Sequence, residues 1–388
     1  METTSVLRKR LAVGIMLFSI GSAIIPSTAQ DTATSSLTAS RGHWLYVGGS
    51  GPGNYTTIQD AVNASSDGDT VFVYDDSSPY HETVVVNTSI TLLGESRDTT
   101  VIDAEAANYS FTVSIYANHV QVRGLCFLNT GWESYAIWVF AVSDIVIADN
   151  AFPGNFNGIY IDKSDPILVE DNTFVGDKAA LEITSDCSQA SVLRNHFEQG
   201  IEALIMGAKN STVRENIFRG NSGTGIRLSA QNVSVLWNTF DANIGFGIEI
   251  TAATVDARIQ YNTINGSAYG IMVEAVDSSS LRISYNTLTN NSRGIGTWLC
   301  SRVNISCNNF IHNSQHAYFD KSWWFQRNHW DGNYWDDYHG KGPEVIHGSA
   351  LFLVIPLGYF HTFCLYLPWV NFDWHPAHEP SDISAMDG

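Results

Sequence analysis

Four carboxylates, Asp162, Glu182, Glu249 and Glu274, fall at matched places in successive segments of the chain, and Tyr160 and Arg227 belong to the same series. Two carboxylates flanking a glycosidic bond can donate and accept the proton that cleavage requires. The same column can also hold a sugar polymer without reacting with it, or be a solvated polar face. Acid chemistry would need one carboxylate with a raised pKa, and exposed positions rarely give the necessary burial. These six residues are therefore the expected ligand face, with binding ahead of catalysis and no catalytic residue assigned. The negative charge there favours neutral or cationic sugars over uronates.

A second group is formed by His312, His316, His329, His339 and His347 near the C-terminus. Copper and zinc use such ligands. The spacing alone names no ligand set, so no metal or other cofactor is expected.

The element that must carry these residues is a repeat. The segments IVIADNAF, ILVEDNTF, ASVLRNHF, STVRENIF, VSVLWNTF, ARIQYNTI, LRISYNTL and NISCNNF align on Asn150, Asn172, Asn195, Asn216, Asn238, Asn262, Asn286 and Asn308, at steps of 21 to 24 residues. A β-branched residue stands three positions before each Asn, and Phe, Ile or Leu stands two after it. β-Branched residues favour strands, and period-2 alternation turns them inward. The Asn is expected to supply the left-handed backbone of a sharp bend. Stacked on its counterpart in the next coil, its amide can donate one way and accept the other. A Gly-Ile-x-aliphatic pattern follows at Gly158, Gly225, Gly247 and Gly270, where glycine is expected to relieve a turn. Ile201–Met206 fits no phase of the pattern. Units of about 22 residues leave no room for paired helices, so the expected fold is all-β: a single right-handed parallel β-helix of about ten coils.

The ends are different. Residues 55–62, YTTIQDAV, read as a short capping helix, followed by GDTVFVY, YHETVVV and SITLLG strands. This opening resembles the pectin-lyase-like superfamily, and the Asn-x-Phe coils resemble its carbohydrate-binding and sugar-hydrolase repeats and the β-helix of NosD-like surface proteins. The run GNYWDDY at 332–338 resembles a motif that ends many NosD-like chains. There an Asp-rich loop often follows; here Lys341-Gly342-Pro343-Glu344 follows, so a calcium site of that type is unsupported. The superfamily's usual catalytic sets imply a Gly-His-Gly turn with clustered aspartates, or an Asp-Pro-His motif, and neither occurs in this sequence. The resemblance implies a secreted or cell-surface β-helix that binds glycan or is surface-structural, with polysaccharide processing as a further role. A NosD-like extracytoplasmic copper-maturation accessory protein is the alternative.

Composition agrees with that setting. Arg8-Lys9-Arg10, the apolar run 11–25 and the small residues Ser27-Thr28-Ala29 read as an export signal, with an uncleaved anchor as the competing reading. Residues 1–29 are taken as signal, 30–43 as linker, 44–311 as β-helix and 312–388 as an aromatic C-terminal cap. Sequons such as Asn54, Asn87 and Asn232 are compatible with a glycoprotein. Five widely spaced cysteines imply no disulfide framework, although Cys300 and Cys307 stand close enough to pair. A net charge of −19 opposes nucleic acid, leaving an extracellular polysaccharide or cell-surface glycan as the expected partner. The apolar stretch 351–370 contains Pro356, His361 and Pro368, which favour a buried cap over a membrane span.

Overall fold

The computed structural model describes residues 42–104, 111–323, 325, 327–358 and 361–383. The proposed signal and nearly all of the linker lie outside them. Each coil contributes three short strands. In one coil these are Ile145–Ala148, Ala151–Pro153 and Asn157–Asp162. Each pairs in parallel, in register, with the strands one coil before and after, as Ile147 does with Val122 and Val169. Three stacked faces result. The middle, or third, face alone stacks eleven strands, so the solenoid exceeds the ten coils expected.

The inward columns explain the sequence pattern. The residues three before each repeat Asn are fully buried, and so are the Phe, Ile and Leu two after it. Phe127, Phe152, Phe174, Phe197, Phe218 and Phe240 form a continuous column, with centroids 4.6 to 5.1 Å apart and planes within 9°. That spacing is the coil-to-coil distance imposed by parallel strands, so identical rings stack without further adjustment.

The eight repeat asparagines form one buried column, as the sequence predicts. The backbone N–H and Nδ2 of Asn216 both donate to Oδ1 of Asn238, at 2.9 and 3.0 Å, and Asn195 does the same to Asn216. Nδ2 of Asn216 also reaches the carbonyl of Val192 in the coil before. The left-handed backbone, however, is not at the Asn. It lies one residue earlier, at Asp149, Asp171, Arg194, Glu215, Trp237, Tyr261, Tyr285 and Cys307, with φ between 52° and 60°. The reversal there points the preceding side chain to solvent and turns the Asn amide inward, where it satisfies bend carbonyls that water cannot reach.

Parallel pairing continues beyond residue 311. Gln315–Trp323, His329–Asp331 and Tyr334–Trp335 stack on the coil before them. Asn333 from the GNYWDDY run extends the ladder, and Asp373 closes it by accepting from the Asn333 backbone N–H and Nδ2, each at 2.9 Å. The stretch expected as a cap or span is an antiparallel hairpin, Glu344–Gly358 with His361–Asp373. Among the described residues no helix is long and apolar enough to cross a membrane. Trp330 and Trp335 are buried against the last coils, whereas Leu353, Leu367 and Trp374 are exposed, so only part of this tail is a buried cap. At the other end, helix Ile58–Ala64 is capped by the Thr57 hydroxyl and by Glu82, whose carboxylate accepts from the backbone N–H of Ile58 and Gln59.

The Gly-Ile glycines have a different reason from the one expected. Gly158, Gly225, Gly247 and Gly270 do not have positive φ. A Cβ on Gly225 would lie 2.6 Å from the Gly247 carbonyl oxygen and 2.9 Å from the Phe240 ring. The requirement is close approach between coils, not a turn.

Candidate functional site

The second face is built from strands such as Tyr135–Phe140, Asn157–Asp162, Ala179–Ile183, Glu202–Met206, Thr224–Leu228 and Phe246–Ile250. Register places Trp138, Tyr160, Glu182, Ile205, Arg227, Glu249 and Met272 in one outward column. Tyr160, Glu182, Arg227 and Glu249 thus share one column as the sequence indicated, and Asp162 and Glu274 lie two positions further along their strands.

An aromatic platform precedes the carboxylates, although the sequence reading identified only Tyr160. Trp138 stacks on Tyr160 at 4.5 Å and 14°, and Phe111 lies 4.4 Å from Trp138 on its other side. Tyr135 packs 5.1 Å from Tyr160 and is held protonated, its pKa pushed up to about 12 chiefly by burial. All four rings are half-buried. The signal was present: YAIWVF at 135–140 has the strand alternation one coil before Tyr160, with Ala136 in place of the glycine.

Glu182 sits between Tyr160 and Ile205 in register. Its half-burial among apolar groups raises its pKa, and among the described residues it has no hydrogen-bond or ion-pair partner. The partial burial that an exposed column was expected to lack is therefore present here. Such a carboxyl retains its proton to higher pH than a solvated glutamate and can donate a hydrogen bond. Asp162 beside it accepts from the Thr184 hydroxyl at 2.6 Å.

Further along, Arg227 is gripped from both sides. Its Nε donates to Glu249 at 2.8 Å and its Nη2 to Glu202 at 3.1 Å. Glu202 was not legible in the sequence because Ile201–Met206 had no assignable phase. This closed triad holds Arg227 and Glu249 as a neutralising clasp rather than as free ligand contacts. Met272, next in that column, is buried: the Tyr318 hydroxyl reaches its sulfur at 3.4 Å across Gly296. Glu274 faces out in register with Trp298.

Metal ligation was tested at the other end. His316, Asp336 and Asp337 converge, the only group with metal-ligand spacing among the described residues. His316 Nε2 lies 2.9 Å from Asp336 and 3.3 Å from Asp337. Its Nδ1 faces the Asn313 amide nitrogen at 3.3 Å. That amide is fixed, because Nδ2 also donates to Leu288 and Oδ1 accepts from Asn291. Nδ1 must therefore accept, which leaves the proton on Nε2, directed at Asp336. A ligating neutral imidazole needs the reverse tautomer with a second-shell acceptor. The group is a hydrogen-bonded ladder end and does not fit copper. His312 reaches the same Asp336, and His329, His339 and His347 do not join the group.

A family model described as a right-handed beta helix region matches residues 135–276. The chain is a right-handed parallel β-helix. A second model, described as a periplasmic copper-binding protein (NosD), matches residues 62–205 of the β-helix, a stretch that does not contain the His316 group. Thirty-six solved chains resemble the β-helix. They include a family 6 alginate lyase (14% identity, 74% of this chain and 53% of that one, TM-score 0.43). They also include a mannuronan C-5 epimerase A-module from Azotobacter vinelandii (14%, 67% and 91%, 0.44) and a polygalacturonase from Erwinia carotovora (11%, 75% and 92%, 0.48). The β-helix spans little more than half of the alginate lyase's length, and at these identities the likeness is one of fold alone. No curated protein matches the sequence.

Proposed function

We propose that this β-helix is an extracellular or cell-surface glycan-binding protein whose second face holds an extended neutral polysaccharide. The carrying observation is the continuous platform of Phe111, Tyr135, Trp138 and Tyr160, leading to the half-buried Glu182, which has no partner among the described residues. Flat rings offer the apolar face of a sugar a large contact area at little entropic cost, and tyrosine hydroxyls add hydrogen bonds at the edges. Glu182 supplies one directed donor or acceptor beside the rings. The Glu202–Arg227–Glu249 clasp leaves the adjoining surface negative, which disfavours a uronate polymer. From Trp138 to Tyr318 the outward column runs over eight coil steps, about 38 Å at ~4.8 Å per step, a length suited to a chain of sugars.

Affinity electrophoresis of the full chain in gels containing neutral glucans, chitosan or polygalacturonate tests the reading. Trp138→Ala should weaken binding by more than about tenfold, as expected for loss of a central aromatic anchor. Glu182→Gln should leave stacking intact and alter the pH dependence. Retarded migration that Trp138→Ala does not change, with circular dichroism intact, overturns the proposal. A preference for polygalacturonate overturns the charge argument. N-terminal sequencing of exported protein tests cleavage after Ala29.

A further inference from the structure

The first face, built from strands such as Ile145–Ala148, Arg258–Gln260 and Arg282–Ser284, carries a feature that the second-face glycan site does not use. The chain has 39 acidic and 20 basic residues other than histidine, so an arginine readily finds a carboxylate. Arg97, Arg194, Arg214, Arg219, Arg227 and Arg302 each meet one. Arg258 and Arg282 do not. They occupy the same outward position on successive coils, paired in register and exposed, and neither has an ion-pair or hydrogen-bond partner among the described residues. Like charges one rung apart destabilise a sheet. A chain rich in acids nonetheless leaves this pair uncompensated.

The surroundings are those of a binding site. The column continues through Asn304 to His329. Arg282, Asn304 and His329 line a depression of about 370 Å³ with Gln260, Ser306 and Tyr285. The one carboxylate on its rim, Asp331, is engaged by His375 Nδ1 at 2.8 Å. Along the adjacent bend runs an outward aromatic stack. Trp237 lies 4.6 Å from Tyr261 at 10°, and Tyr261 lies 5.5 Å from Tyr285 at 15°. These rings occupy the left-handed bend positions, which hold Asp149 and Asp171 in earlier coils.

We propose that this corner of the first face binds a sulfate or phosphate ester carried on a polysaccharide. Arg258 and Arg282 extend from backbone positions about 4.8 Å apart, and their guanidinium forks can converge on one tetrahedral oxyanion. His329 and Asn304 add donors at one end. The Trp237–Tyr261–Tyr285 stack lies alongside, where the sugar bearing the ester can rest on it. The two faces then serve different chemistry: neutral sugar on the second, esterified sugar on the first.

The full chain is titrated by biolayer interferometry against immobilised dextran sulfate, dextran phosphate and unsubstituted dextran. Inorganic sulfate and inorganic phosphate serve as competitors. The expected result is binding to one or both ester polymers well above that to unsubstituted dextran, whose own binding reports the second face, and weak competition by the free ions. The Arg258→Ser/Arg282→Ser variant should lose at least about tenfold in affinity. Arg194→Ser, which removes a carboxylate-paired arginine, should bind as wild type, and Trp138→Ala should keep ester binding, separating this site from the second-face reading. Tyr261→Ala should lower affinity for the polymers without changing competition by the free ions. Equal binding by the double arginine variant, with its melting curve intact, overturns the proposal. Competition by free sulfate or phosphate as strong as that of the polymers overturns the sugar component.

Discussion

Asp177 stands where the fold calls for an amide. Five residues after each member of the first ladder comes a second buried position, occupied by Asn155, Asp177, Gly200, Asn221, Asn243, Ser267, Asn291 and Asn313. The asparagines here link coils as those of the first ladder do. Asn221 donates to the carbonyl of Phe197 at 3.1 Å and Asn243 to that of Phe218 at 3.0 Å. Asp177 Oδ1 accepts from the Asn155 backbone N–H at 2.6 Å, but Oδ2 is buried with no partner. Burial raises its pKa well above the ordinary carboxylate range, against two hydrogen bonds from Asn155 that lower it. The folded state therefore keeps a proton that the unfolded chain releases near pH 3.9. The contribution of this acid to stability is complete below that pH and declines as pH rises from there toward the folded-state pKa. Asp177→Asn removes this dependence and supplies an Nδ2 donor to the carbonyl of Phe152, the counterpart of those used by Asn221 and Asn243. At pH 7 the unfolded chain has released this proton while the folded state holds it, a cost of about 1.4 kcal/mol per unit of raised pKa that the neutral amide does not bear, so the variant should be more stable there by at least about 1 kcal/mol. Near pH 3.5 the protonated acid and the amide are nearly equivalent and the difference should vanish. Urea unfolding of both proteins by far-UV circular dichroism at the two pH values reads this as a midpoint shift at constant slope. A variant no more stable than wild type at pH 7, or one whose advantage persists unchanged at pH 3.5, refutes the reasoning.

Other consequences follow from the same columns. Asn216→Leu strands the Asn195 backbone N–H and the Val192 carbonyl, while the Asn195 amide keeps the carbonyls of Val169 and Leu193, so it should cost more than the ~1–3 kcal/mol of a single orphaned group; a midpoint within error of wild type would contradict the ladder's role. All five cysteines are free thiols, and Cys126 and Cys300 are buried with pKa values pushed up to about 11 by desolvation. Iodoacetamide on the native protein should label Cys307 and Cys364, which are partly exposed, well before those two and the buried Cys187, with peptide mass spectrometry giving the order.

What was legible in the sequence was whatever repeats on the inside. Buried columns have one chemical requirement per rung, so Val, Asn and Phe recur at fixed offsets, and their stacking could be read directly. The second ladder had its own signal, an Asn five residues later, but Asp177, Gly200 and Ser267 interrupt it. The backbone role of the first Asn was misplaced by one residue. Trp237, Tyr261 and Tyr285 are poor left-handed residues by intrinsic preference, and only the fixed inward direction of the Asn amide forces them into that conformation.

The outward columns were less legible because an exposed residue is defined by its neighbours in other coils, and those neighbours depend on register. Between the eight repeat asparagines coil lengths vary from 21 to 24 residues, and each change moves the loop, not the strands. The segment Ile201–Met206 shows the effect. Its strand begins at Glu202, which pairs with Ala179 and Thr224, and that register puts Glu202 within reach of the Arg227 guanidinium. Read linearly, Arg227 interrupts an acidic series; in three dimensions it pairs with Glu249 of that series and with Glu202, which the series lacked. The same step brings Trp138 over Tyr160 and leaves Arg258 against Arg282. A solenoid thus separates two tasks within one strand. The inward residue is constrained by stacking on its own kind, and the outward residue is free to vary, so chemistry accumulates where the repeat is weakest. The face to probe in such a chain is therefore the one whose outward residues depart most from the repeat's average, and on both faces of this β-helix those departures are aromatic or charged.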